Sequence, residues 1–263
     1  PDKGSWCGFP APSDPSYKYF ISRPNFIMMN DNRCHMFTTE SLLKGDLPKA
    51  RVGIGRGTDV GNVEKSVAAM KQHDVVIYDD PEQLADDLAT GKIDAAIRGD
   101  MSSSVLLPIL KQKLGLKALE RIVFLELLNG KMIIMAPVGI DEGWTDVQRE
   151  ELARQCVKMA KRIGLGTKVA VMSGGRCEDV GRCKAVDRSI ESARNIVKKL
   201  KEEGYDAYHC QILIEDAVNN ADILIAPEGI TGNIIFRTLH FIGGAKALGA
   251  PVVNSDKVFI DTS

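Results

Sequence analysis

The stretch Ile223-Leu-Ile-Ala-Pro-Glu-Gly-Ile-Thr-Gly-Asn-Ile-Ile-Phe-Arg237 decides the fold of this chain. Its apolar start, residues 223–226, predicts a buried strand, which Pro227 ends. The glycines that follow predict a turn over residues 228–233 and a helix that begins at about Asn233. A glycine turn that opens a helix leaves backbone N–H groups free to hold an anion, although a plain strand-to-helix connection has the same pattern.

The rest of the chain alternates strands with helices from residue 51 onward, which is typical of helices covering largely parallel sheets. The dipeptide Asn129-Gly130 lies between two apolar runs and predicts a β-hairpin. Amphipathic helices are predicted over residues 60–72, 146–163 and 189–203. Residues 1–45 carry several prolines and no hydrophobic period, so we predict an irregular N-terminal extension there. From spacing alone, one doubly wound sheet would account for this alternation.

The composition of the chain indicates which kinds of binding partner and which cellular compartment to expect. A formal net charge of −1 over 263 residues provides no basic field for nucleic acid. No apolar run approaches the roughly 20 residues that span a membrane, and no signal pattern opens the chain. The six cysteines are scattered, which favours reduced thiols in the cytoplasm, no disulfide and no metal site. His73, His209 and His240 have no serine or cysteine partner at motif spacing, so no catalytic triad is predicted.

Four loops follow predicted strands and carry small, polar or basic residues. Because ligands of open α/β sheets bind beyond the carboxyl ends of strands, we expect these loops to form an anion-binding cleft. The candidate binding residues are Gly55, Arg56, Gly57, Gly99, Ser102, Ser103, Ser173, Gly174, Gly175, Arg176, Glu228, Gly229, Thr231, Gly232 and Asn233. Helix capping is the alternative role of Ser102 and Asn233, and a solvated surface that of Arg176. Thr58 replaces the third glycine of a dinucleotide-binding fingerprint, which argues against a Rossmann site.

The anion is expected where the 228–233 turn meets the Ser173–Gly175 loop. Glu228, beside the glycine turn, is the acidic catalytic candidate of this cleft. Replacing Gly232 with valine is expected to abolish ligand binding with little loss of fold, because a side chain would fill the space through which the backbone approaches the ligand.

The C-terminal part also carries a motif whose order and spacing are specific. Its positions are Pro227, Glu228, Gly232, Asn233, Ile234, Arg237, Gly243, Gly244, Ala245, Ala247 and Gly249. This pattern resembles the phosphate acetyl/butyryltransferase superfamily. The resemblance implies a homodimer of chains with two α/β/α domains of the isocitrate/isopropylmalate dehydrogenase type that face a cleft, with residues 46–137 plus 251–263 in one domain and 138–250 in the other. Asp261-Thr262-Ser263 resembles the superfamily's Asp-x-Ser-Arg motif and makes Ser263 a second catalytic candidate.

Three further segments resemble a narrower family within that superfamily. They are Arg51–Gly57, the hairpin over residues 127–137, and Asp141–Thr145, and the family is the methanogenesis marker protein four family, also called MtxX. Its members are described as methyltransferase subunits of methanogenic archaea. The resemblance implies a transferase that binds an anionic coenzyme in the cleft, either a CoA-like molecule or a carrier of one-carbon groups, and that has other methyltransferase subunits as partners.

Leu107 departs from the superfamily pattern. Phosphate acetyltransferases resemble this chain around Pro108 but carry an arginine immediately before that proline, where it helps to hold the acyl phosphate. Arg56 or Arg98 would have to supply that charge from a neighbouring loop. A phosphate acyltransferase is therefore the second hypothesis, and a non-catalytic assembly or binding subunit that kept the fold is the third.

Overall fold

The structure is a computed structural model that describes residues 49–57 and 73–262. The predicted extension over 1–45, the predicted helix over 60–72 and the catalytic candidate Ser263 lie outside the described residues. The described strands are β1 (Arg51–Gly55), β2 (Asp74–Tyr78), β3 (Ala95–Ile97), β4 (Val123–Glu126), β5 (Met132–Ala136), β6 (Val169–Met172), β7 (Ala207–Gln211), β8 (Ile223–Ile225), β9 (Lys246–Ala247), β10 (Ala250–Pro251) and β11 (Val258–Asp261). The described α-helices are α1 (Pro81–Ala89), α2 (Ser103–Lys113), α3 (Asp146–Arg162), α4 (Lys184–Glu202), α5 (Ile214–Asn220) and α6 (Gly229–Arg237).

Two largely parallel sheets form the scaffold, which confirms the α/β fold class implied by the resemblance, with two sheets in place of one. The first sheet has the strand order β10-β11-β3-β1-β2, and β10 runs antiparallel to β11. The second sheet has the order β7-β6-β8-β5-β4-β9, and β4 runs antiparallel to both of its neighbours. Their apolar strands are covered by helices, as expected for parallel strands that cannot face water.

Helix α3 shows how the hydrophobic pattern directs this packing. Leu152, Cys156 and Ala160, which recur at helical spacing, are buried in one core of the second sheet, as the period predicts. Thr145 begins the helix in a capping box with Gln148, in which each side chain bonds to the other residue's backbone N–H. In the described part of the chain, no helix is long and apolar enough to cross a membrane.

The hairpin β4–β5, which precedes the predicted domain boundary at Pro137, belongs to the second sheet. Strand β5 pairs in parallel with β8, and all of its residues, Met132–Ala136, are buried. A strand with no exposed face needs cover on both sides, and the two cores of the second sheet provide it. The chain therefore crosses between the sheets just before β4, near Arg121, and returns at Ala250, where β10 begins.

A buried charge network joins the two sheets at this crossover. Arg121 Nε donates to Glu142 Oε1 at 2.5 Å, and Arg121 Nη1 donates to Asp261 Oδ2 at 2.7 Å. Arg98, which follows β3, pairs with the other oxygen of Asp261. Burial alone would lower the pKa of Arg121, but Glu142 and Asp261 outweigh burial and raise that pKa. The network thus ties the loop after β5 to the last strand of the first sheet.

Candidate functional site

A cavity of about 760 Å³ opens at the carboxyl edge of the second sheet, where β6, β7 and β8 end. Its polar lining residues are Asp146, Arg149, Ser173, Arg188, Ser189, Ser192, Glu228 and Thr231. A second cavity, between the sheets beside Arg121 and Asp261, measures about 80 Å³ and is too small for a coenzyme. The larger cavity occupies the position at which open α/β sheets bind ligands, and two of the four predicted loops meet in it.

The loop after β6 is held by an irregularity in the neighbouring strand. Between β6 and β7 the register shifts, so that β7 bulges before Gln211. Gln211 has a φ of 61°, a left-handed conformation that non-glycine residues seldom adopt. Its carbonyl accepts from Ser173 N at 2.9 Å, and its side chain accepts from Cys177 N at 2.8 Å. Bulges and strained residues of this kind cluster next to functional sites, which supports the cavity of the second sheet as the candidate functional site.

Ser173 is in contact with a histidine that the motif spacing did not reveal. Its Oγ lies 2.8 Å from Gly175 O and 2.8 Å from His209 Nε2. Burial lowers the pKa of His209, and Arg194 lowers it further, so the ring is neutral at pH 7. The described residues place no carboxylate in hydrogen-bond contact with this ring, so the pair orients the Ser173 hydroxyl without completing a triad.

Arg149 is the cationic residue of the cavity wall that sequence reasoning missed. It is only 5 % exposed, and its Nη2 donates to Asp146 at 2.7 Å and to Ser192. Its Nε is buried and has no hydrogen-bond partner among the described residues. Burial lowers the pKa of Arg149, whereas Asp146 and Glu228 oppose that shift. A signal was present in the sequence, because an arginine three positions before Leu152 falls on the apolar face of α3.

Glu228 already occupies the N-terminus of α6. The helix begins four residues before the predicted start at Asn233, and the Glu228 carboxylate accepts from Ile230 N at 2.6 Å and Thr231 N at 3.0 Å. The Thr231 hydroxyl also donates to it. The predicted turn is therefore the first turn of a capped helix. Asn233 is not its cap, because it lies inside α6 and donates to Val138 O at 2.9 Å.

The glycines of α6 serve packing. A Cβ atom on Gly229 would lie 1.7 Å from Gly139 O, and one on Gly232 would lie 1.9 Å from Pro137 O. Both glycines let the helix approach the loop after β5 more closely than any side chain allows. The expectation that valine at position 232 leaves the fold intact is therefore wrong, because the space it would fill borders the protein's own backbone.

The two loops at the carboxyl edge of the first sheet pack against each other. Gly57 N donates to Asp100 Oδ1 at 2.6 Å, and a Cβ atom on Gly99 would lie 2.0 Å from Gly55 O. Arg56 makes a bidentate pair with Asp79, with both N–O distances at 2.6 Å. These residues do not line the cavity of the second sheet.

The remaining predicted binding residues lie at the surface or behind the cavity wall. Ser102 and Ser103 are exposed at the start of α2, and the Ser102 hydroxyl makes no cap to the helix. Arg176 is exposed, and Gly175 is buried behind the wall. Of the predicted set, the structure brings Ser173, Gly174, Glu228 and Thr231 together around the cavity. Among residues 49–57 and 73–262 no cluster of metal-binding side chains occurs.

Comparison with known proteins places the chain among proteins of methanogens. It is 42% identical over 191 residues to "Putative methyltransferase mtx subunit X" of Methanosarcina barkeri. The aligned residues make up 72% of this chain and 70% of that protein. It is 43% identical over 191 residues to the protein of the same name from Methanosarcina mazei. That alignment makes up 72% of this chain and 68% of that protein. No protein-family model matches the chain.

Among solved structures, a branched-chain phosphotransacylase from Enterococcus faecalis V583 is similar to this chain. The TM-score is 0.63 at 18% identity, over 81% of this chain and 91% of that chain. At this identity the similarity shows the fold alone, and it agrees with the phosphate acetyltransferase-like architecture that the motif residues implied.

Proposed function

We propose that this chain, which belongs to the mtx subunit X family, takes part in methyl transfer and binds a small anionic coenzyme in the cavity of its second sheet. The observation that carries the proposal is Arg149, a buried guanidinium at the cavity wall whose Nε has no partner among the described residues. A guanidinium that lines a cavity can hold an anionic group through charge-assisted hydrogen bonds. The name of the family supports the methyl-transfer part of the proposal.

The cavity would contribute position. Methyl transfer requires a nucleophile in line with the methyl donor, so a protein accelerates it by holding both partners at a fixed distance. Arg149 would hold the anionic group of the coenzyme, and the hydroxyl of Ser189, which accepts from Gly174 N, would orient it. Apolar side chains such as Ile212 and Ile235 would cover the body of the molecule. Both expected coenzyme classes, CoA-like molecules and one-carbon carriers, combine an anionic group with a larger body.

Protein purified from its natural source is expected to carry this coenzyme. Mass spectrometry of the molecules released on denaturation is expected to identify an anionic one-carbon carrier. The Arg149→Met variant from the same host is expected to lose it, and Arg149→Lys to retain part of it, because lysine keeps the charge but has fewer donors. Release of CoA or an acyl phosphate would favour the acyltransferase hypothesis. A bound protein without any small molecule would favour a non-catalytic subunit.

The fold of the phosphotransacylases keeps acyl transfer as a second candidate, but the cationic residues argue against it. Leu107 lies inside α2 and packs against the core of the first sheet, so it supplies no charge. The two arginines that were expected to replace the missing charge are engaged elsewhere. Arg56 pairs with Asp79, and Arg98 pairs with Asp261.

Turnover of acetyl phosphate and CoA is therefore expected to be undetectable. A charge-assisted contact to a transferring group contributes about 2–4 kcal/mol in the transition state, which is about 30- to 1,000-fold in rate. Thioester formation followed spectrophotometrically checks this, with a phosphotransacetylase assayed in parallel as the positive control. A rate on the order of ten per second or more, which is typical of enzymes, would move acyl transfer to first place.

A further inference from the structure

We propose that Glu228 determines the charge of the ligand. Its carboxylate fills the anion position at the N-terminus of α6, so the cavity accepts a ligand with one singly charged anionic group, such as a carboxylate or sulfonate, and excludes a doubly charged phosphoryl group. The inference rests on the proposed function, because it concerns the same cavity, but it assigns Glu228 a role in specificity where sequence analysis made it a catalytic candidate.

The protein itself occupies the anion position at the N-terminus of α6. The free N–H groups of a helix N-terminus and the helix dipole attract anions, and α6 points this end at the cavity. In this protein the donors are already used: Ile230 N, Thr231 N and the Thr231 hydroxyl all donate to Glu228. To bind at the same N–H donors, a ligand anion would have to displace the Glu228 carboxylate, which is covalently part of the protein. The helix therefore offers no second anion position.

The charged side chains of the cavity lining balance one another. Arg149 and Arg188 are its cations, and Asp146 and Glu228 are its carboxylates, so the charged lining residues sum to zero. Asp146 is already paired with Arg149. A singly charged group can pair with the Arg149 guanidinium at the cavity wall. The lining therefore has no excess positive charge that could neutralise a doubly charged group, and Glu228 at the N-terminus of α6 repels such a group.

The apolar part of the cavity wall favours a particular kind of ligand body. The remaining wall of the cavity is apolar and includes Met172, Val186, Ile212, Ile214 and Ile235. Such a wall favours a ligand with an apolar or aromatic body, because burial of apolar surface is favourable and a bare inorganic anion gains nothing from it. Together these features select a molecule with an apolar body and a single carboxylate or sulfonate.

Two probes test this selection directly. Benzenesulfonate represents the singly charged anion with an apolar body and is measured by titration calorimetry at pH 7.5. Inorganic phosphate represents the doubly charged anion and is measured by equilibrium dialysis of the radiolabelled ion. The wild-type chain is expected to bind benzenesulfonate at least about tenfold more tightly than phosphate, because benzenesulfonate has one charge and an apolar body, whereas phosphate has two charges and no body.

Removing the charge of Glu228 is expected to reverse part of this preference. Glu228→Gln should bind phosphate about tenfold more tightly than wild type, with benzenesulfonate changed by less than about threefold. Glu228→Ser is the second variant, because serine caps helices without a charge and protects the test against a loss of fold. Asp80→Asn is the matched control, because Asp80 is a carboxylate that caps α1 outside the cavity, and it should change neither affinity.

The outcomes separate this inference from the proposed function. An unchanged phosphate affinity in folded Glu228→Gln and Glu228→Ser, with benzenesulfonate bound by wild type, would overturn the role of Glu228 and leave the cavity as the ligand site. Phosphate bound more tightly than benzenesulfonate by wild type would overturn it as well. Binding of neither probe by wild type or variants would also overturn the inference, and the coenzyme recovered from the natural source would then decide the proposed function separately.

Discussion

Replacing Arg121 with methionine is expected to lower the free energy of unfolding by about 3–5 kcal/mol. The guanidinium lies between two carboxylates, Glu142 and Asp261, and Glu142 is only 2 % exposed. Without Arg121 the Glu142 carboxylate would keep only backbone donors, while Asp261 would keep Arg98. A buried charge that loses its partner is strongly destabilising, whereas methionine preserves most of the side-chain volume. Equilibrium unfolding in urea, followed by circular dichroism, measures the change.

Arg154→Met is the matched control for this prediction. Arg154 also contacts several carboxylates, among them Glu150 and Glu203, but about a quarter of its side chain is exposed. Partly exposed ion pairs contribute about 1 kcal/mol or less, so this variant should unfold at nearly the wild-type urea concentration. Equal losses in both variants would mean that the network between the sheets has no special role, and the account of the crossover would be wrong.

Gly232→Val is expected to destabilise the protein by about 3–5 kcal/mol, or to prevent folding. The reason is a backbone contact, because the added Cβ would lie 1.9 Å from Pro137 O and the loop after β5 cannot yield without disturbing Gly139 and Glu142. Gly232→Ala distinguishes the backbone contact from helix propensity, because the two predict changes of opposite sign in the free energy of unfolding. Helix propensity alone predicts that alanine stabilises a helix by about 1 kcal/mol relative to glycine, whereas the contact predicts a loss.

Thermal and urea unfolding of Gly232→Val and Gly232→Ala check this prediction. Gly174→Ala is the control, because a Cβ there would lie 3.5 Å from Ser189 Oγ, an ordinary contact, and the change should cost about 1 kcal/mol or less. A stabilised Gly232→Ala variant would contradict the account, since it would show that the helix can move away from the loop.

The local pattern predicted many of the strands and the hairpin, but spacing alone indicated one sheet where the structure has two. Apolar runs located the strands, for example β6 over Val169–Met172, and the Asn129-Gly130 turn located the hairpin. The pattern did not reveal which sheet the hairpin joins, because β5 pairs with β8, a strand almost ninety residues later (Ile134 with Ile223). The sequence pattern did not reveal the charge network either, because Arg121 and Asp261 are 140 positions apart in the chain.

The sequence predicted which loops form the candidate site, but it did not predict the contacts that their side chains make. The rule that ligands bind beyond the carboxyl ends of strands located Ser173 and Glu228 at one cavity. It did not reveal that Glu228 caps its own helix, because a glycine-rich segment is compatible with either a turn or a capped helix start. Arg149 was missed because a charged residue early in a helix is usually solvated, whereas this one faces the core.

The affinity of the coenzyme recovered from the natural source, compared between two arginine variants, decides whether the cavity of the second sheet is the functional site. Arg149→Met is expected to weaken binding at least about 100-fold, because a buried charge-assisted contact contributes about 3 kcal/mol. Arg176→Met is the matched variant, because Arg176 follows the same strand but is exposed outside the cavity, and it should change the affinity by less than about threefold. The reverse result, with Arg176→Met losing the ligand and folded Arg149→Met retaining it, would contradict the assignment of this cavity as the functional site.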